Sequence, residues 1–274
     1  MRRAALITGA MLWLHGVALA QDPLQNKSAG TVVLLPPTAG AVGEDPPLAG
    51  TLHLPGREYR AGSGWWALAC DGACTLAPLQ LAVAARPFPQ REDKPVSGQA
   101  LRFSPAPPAG TLLLFKPLRA PASALPWRAG AVDTLHPGPA SRLRARSGTP
   151  GTQETELPLP DGRVLVVRPV RHTLSRWPGE EHDGTLVLEL TFDGRRQTLG
   201  RFATTDCEPL PLRRDTFLRW AGDLDHDGRP DLLVNFSLGV EQHLALFLSS
   251  LAGPGQIVGE AGRFRLEPID VDGC

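Results

Sequence analysis

From Thr185 to Phe192 the apolar residues Leu186, Leu188, Leu190 and Phe192 alternate with Thr185, Val187, Glu189 and Thr191. A two-residue period turns one face inward and leaves a mostly polar face in water, so this stretch predicts a half-buried β-strand. Toward the N-terminus, Thr31 to Leu35, Thr51 to Leu54, Trp65 to Ala69, Thr75 to Val83 and Thr111 to Lys116 are short apolar runs bounded by Pro or Gly. That is the pattern of strands in a sandwich or small barrel, and none of it sustains a helical period. Toward the C-terminus, Thr216 to Ala221, Asp231 to Phe236 and His243 to Leu248 continue as a meander. Asp161-Gly162 and Asp193-Gly194 sit between strand-like runs, where a tight turn needs positive φ, and both predict hairpins. The expected class is mainly β: a β-sandwich or small-barrel-like N-terminal part, then an antiparallel β-meander.

Between these parts, Pro117 to Gly151 is crowded with Pro, Ala, Gly and Arg. The shift in composition divides the chain into an N-terminal β domain at 21–120, a linker or long loop at 121–151, and a C-terminal β domain at 152–274. The 274 residues carry 28 basic and 28 acidic side chains. Such a balance offers no basic footprint for nucleic acid.

The first 20 residues change the picture of where the protein works. Arg2 and Arg3 precede an apolar stretch from Ala4 to Val17, and Ala18-Leu19-Ala20 has the small-x-small form of a signal-peptidase site. The stretch is shorter than the roughly 20 apolar residues of a membrane span. Cleavage is expected to leave Gln21 first, with no transmembrane segment afterwards, and a periplasmic or secreted product of bacterial type. In an exported chain the even set Cys70, Cys74, Cys207 and Cys274 reads as disulfides, for which three connectivities exist. Asp71-Gly72-Ala73 between Cys70 and Cys74 allows a bridge across a hairpin turn, which leaves Cys207 for Cys274.

The segment with specific chemistry is Asp223-Leu224-Asp225-His226-Asp227-Gly228-Arg229-Pro230-Asp231. Side chains at positions one, three, five and nine of such a loop can converge, Gly228 permits the tight turn, and the Arg229 carbonyl can supply an oxygen at position seven. Hard oxygen donors in this pattern point to Ca²⁺. Position twelve is Val234 where an EF-hand has a bidentate Glu, and the flanks read as strands. From Gly222 to Val234 the sequence resembles the calcium loop of FG-GAP and VCBS-type, integrin-like repeats, in which the loop joins two strands. The resemblance covers roughly residues 216 to 250. It implies calcium ligands at Asp223, Asp225, Asp227, the Arg229 carbonyl and Asp231. His226, at position four, is expected to point away.

Other candidates carry less. Asn235-Phe236-Ser237-Leu238-Gly239 lacks the first Gly of a nucleophile elbow, and His53, His136, His172, His182 and His243 have no zinc-like spacing. Arg168, Arg171, His172 and Arg176 form a mild basic cluster followed by Glu180, Glu181 and Asp183, which reads as self-compensating. Trp65, Trp66, Trp127 and Trp220 are expected mainly in cores, with Trp177 beside Pro178-Gly179 the most exposed. The expected function is a non-catalytic, calcium-binding component of a bacterial envelope with an unknown protein or glycan partner. The alternatives are a glycan-binding module and a secreted hydrolase with a structural calcium site.

Non-reducing peptide mapping is expected to recover Cys207 linked to Cys274, and a peptide joining Cys70 to Cys207 would overturn the assignment. Closing that long loop removes roughly 4 kcal/mol of unfolded-chain freedom in the chain-entropy model.

Overall fold

A computed structural model describes residues 32–35, 51–55, 59–88, 96–118, 127–136, 154–173, 184–203, 217–236 and 242–266. The expected signal segment, Cys207, Cys274, Trp177 and Ser237 lie outside these residues. The described chain is mainly β, with antiparallel pairing throughout its three sheets. The first sheet contains β1 (Val32–Leu35), β2 (Thr51–Pro55), β3 (Gly62–Asp71), β4 (Ala73–Phe88), β5 (Val96–Ser104), β6 (Thr111–Pro117) and β7 (Gly130–Ala131). Its order is β1-β6-β3-β4-β5-β2, and β7 also pairs with β4. β4 serves three partners because it is 16 residues long: Thr75 and Leu76 meet β7, while Gln80 onward meets β5.

A second sheet runs β12-β11-β10-β9, from β9 (Thr155–Pro158), β10 (Val164–Thr173), β11 (Gly184–Phe192) and β12 (Arg195–Ala203). The third places β8 (Asp133–His136) beside β13 (Leu218–Asp223), β14 (Asp231–Asn235), β15 (Gln242–Leu248) and β16 (Gly259–Leu266). Both expected hairpins form. Asp193 and Gly194 have φ of 49° and 71°, the left-handed pair that a two-residue turn between twisted strands requires. At Asp161-Gly162 only Gly162 is left-handed (φ 83°), and the longer connection closes through the Leu159 N–H donating to the Arg163 carbonyl at 2.8 Å.

The third sheet is buried on both faces. Leu233, Leu244, Leu246 and Leu248 join Trp220 in the apolar cluster of the first sheet, with Leu68, Leu76, Leu101 and Leu113. Leu232, Val234, Ala245 and Phe247 point the other way, onto Leu165, Leu188 and Leu190 of the second sheet. A strand covered on both sides has no polar positions to alternate with, which is why Leu232-Leu233-Val234 and Leu244 to Leu248 are unbroken apolar runs.

The stretch expected as a linker contributes described strands at β7 and β8. The chain crosses there from the first sheet to the third through buried Val132, whose N–H donates to the Cys74 carbonyl at 3.0 Å. Beside it, Cys70 and Cys74 are directly paired across the β3–β4 turn and joined as a disulfide. Trp65 and Trp220 are core residues, whereas Trp66 and Trp127 are half-buried. Arg168 is compensated across the sheet by Glu189, its register partner, at 2.8 Å, and by Glu154 at 3.5 Å.

The opposite edges of the first and third sheets also touch: a Cβ on Gly262 would lie 2.3 Å from the Val32 carbonyl oxygen. Gly262→Ala is expected to cost about 1–3 kcal/mol in denaturant melts, the usual penalty for overpacking. A loss under about 0.5 kcal/mol would place those edges further apart.

Candidate metal centre

Asp223 closes β13 and Asp231 opens β14, and the pairing of Gly222 with Asp231 holds the ends of the loop together. Backbone crowding explains the glycine before it. A Cβ on Gly222 would lie 2.3 Å from the Asp133 carbonyl oxygen of β8 and 2.5 Å from the Trp220 ring. Inside the loop Leu224 is fully buried and anchors the turn in the core. His226 (φ 60°) and Gly228 (φ 80°) make the left-handed bends that fold the loop back on itself.

This path brings one carboxylate oxygen from each of Asp223, Asp225 and Asp227 within 4.8 Å of one another. Like charges at that distance repel by about 3 kcal/mol per pair at an effective dielectric near 20. Asp223 accepts from the Asp227 N–H at 3.0 Å and from the Gly228 N–H at 2.9 Å. Asp227 accepts from the Arg229 N–H at 2.8 Å and from the Arg229 guanidinium at 2.8 Å, which also donates to the Ser249 carbonyl at 3.2 Å. Asp231 is fully buried and lies outside the converging trio. Its two oxygens accept from the N–H groups of Leu224 and Ser249, each at 2.8 Å. His226 is not among the converging groups.

Asp225 is the exception to this satisfaction. It has no exposed surface, and its Oδ2 accepts from the Ser250 hydroxyl. Its Oδ1 is buried with no donor in hydrogen-bonding geometry among the described residues. An ionised oxygen in that position has lost its water, and the Ser250 hydroxyl and the Asp227 backbone, which favour the charged carboxylate, offset only part of that loss. Burial pushes the carboxyls of Asp223 and Asp225 above the usual aspartate range, and the neighbouring acids push in the same direction. Asp231 is raised furthest, by its complete burial and then by the charge of Asp225. A group of carboxyls that resists ionisation because it is dry and crowded is one that a divalent cation can relieve.

Two contributors were not legible in the motif. Ser249 and Ser250 begin a short 3-10 helix after β15, and the Ser249 hydroxyl reaches both oxygens of Asp227 at 2.9 and 2.8 Å. They lie about 20 residues beyond the loop, and a serine pair at a strand end carries no spacing signal of its own.

Compared with known proteins, the chain matches no family model, no curated protein and no solved structure.

His226→Gly tests whether the fourth position is only a bend. Relief of the left-handed strain and the freer unfolded chain offset each other, so stability is expected within about 1 kcal/mol of wild type. The response of the melting curve to calcium should be unchanged, and its loss would assign the imidazole a part in the site.

Proposed function

We propose that this chain is an exported, non-catalytic calcium-binding β protein, a binding or structural component of a bacterial envelope, whose cation staples the turn between β13 and β14. The observation that carries the reading is the buried, unpartnered Oδ1 of Asp225 beside the carboxylates of Asp223 and Asp227. The donor set is all oxygen, which suits Ca²⁺ over zinc or copper, and a strand-loop-strand setting agrees with the resemblance to FG-GAP and VCBS-type loops. Asp223, Asp225, Asp227 and the Arg229 carbonyl are the proposed ligands, with Asp231 joining them through the lone pairs that its two N–H donors leave. The acids are tied to the loop's own N–H groups and to the turn after β15, the disposition of a staple. The signal-like first 20 residues and the Cys70–Cys74 bridge support export to an oxidising compartment.

An extracellular-type site binds at about 10⁻⁴ to 10⁻³ M, so calcium at about 10 mM adds roughly 1.4–2.7 kcal/mol of stability by linkage. Melting curves are therefore expected to rise with millimolar Ca²⁺, fall back in EDTA, and respond less to Mg²⁺, which demands a tighter octahedron. Asp225→Asn separates the cation from generic loop effects by reversing sign. Without calcium the variant melts above wild type, because a dry, repelling charge is gone. With calcium it melts below wild type, because a ligand is gone. Calorimetry showing no binding, together with an unmoved wild-type curve, would refute the metal site.

A further inference from the structure

The outer side of the loop also forms part of a cleft. Asp223, Gly228, Arg229 and Pro230 line, together with β8, the β9–β10 turn and Phe192 at the end of β11, a space of about 520 Å³. That volume is within the range of small-molecule sites. Its walls mix three kinds of surface. Leu135, Pro160 and Pro230 are apolar, Asp133 is an exposed acid, and Arg163 is an exposed base.

Arg163 is paired on two sides. It donates to Asp161 at 2.6 Å and to Asp193 at 2.7 Å, and lies 4.7 Å above the centroid of the Phe192 ring. A guanidinium has five N–H donors, so those contacts leave some to face a ligand. Its charge, however, is already balanced by two acids, as the charge of Arg229 is by Asp227. An anion entering the cleft would meet Asp133 and, among the described residues, no uncompensated cation. A base and an acid lining one cleft together with apolar residues suit a neutral molecule that carries hydroxyls on a C–H framework.

We propose that this cleft binds an uncharged saccharide, with hydroxyls donating to Asp133 and accepting from Arg163, and with a C–H face against Leu135 and the two prolines. The inference rests on the calcium reading, since two of the proposed ligand residues, Asp223 and Arg229, themselves line the cleft, so order in the loop sets the shape of that wall.

The test is an array of cello-, malto-, xylo- and chito-oligosaccharides alongside uronate, sialylated and sulfated glycans, probed with the full exported chain in millimolar calcium, followed by calorimetry with the neutral glycan retained. Asp133→Ala and Arg163→Ala should each weaken binding about tenfold, the worth of one hydrogen bond to a charged group. Both are exposed positions whose own melting curves report whether the fold is intact. EDTA should also weaken binding. A blank array, retention of charged glycans alone, or full affinity in both variants would overturn the saccharide site, and affinity unchanged by EDTA would overturn the part given to the loop. A blank array with the calcium-dependent melting shift intact removes this inference and leaves the metal reading standing.

Discussion

Burial of the third sheet on both faces is the constraint on which the rest of the molecule depends. Its strands face the first sheet with Leu233, Leu244 and Leu246 and the second with Leu232, Ala245 and Phe247, so the turns at its ends are drawn toward the interior with them. The β13–β14 turn shows the result. It is a nine-residue acidic segment that any surface hairpin could carry in water, yet Leu224, Asp225 and Asp231 have no exposed surface. The sheet order therefore converts an ordinary hydrophilic turn into a site where charge must be met by fixed partners.

Much of this was legible because the periodicities are local. The alternation at Thr185 to Phe192 became β11, and its Asp-Gly turn became a tight hairpin, since both signals depend only on neighbouring residues. β5 was missed: Val96–Ser104 contains Gly, Gln and Arg, and it is a strand because β4 is long enough to pair with it on one side while β2 lies on the other. β7 and β8 were hidden in a Pro- and Gly-rich stretch, where pairing with β4 and β13 outweighs composition.

The site divides along the same line. The spacing of Asp223, Asp225 and Asp227 announced a convergence that the backbone delivers. What spacing could not convey is that Asp231 is occupied by backbone donors, or that Ser249 and Ser250 arrive from beyond β15 to hold the acids from the other side. Those contacts exist only once β14 and β15 are paired, and a linear motif has no means to encode a neighbour supplied by sheet register.

The crossing at Val132 has a mechanical consequence. One short run of chain pairs with β4 through Gly130 and Ala131 and, one residue past Val132, with β13 through Asp133. Load applied to the first sheet is transmitted to the strand that leads into the acidic turn without passing through any flexible connector. A pull on the N-terminal half would thus be felt at Asp223 as a tug on β13, so the turn is coupled to tension elsewhere in the protein.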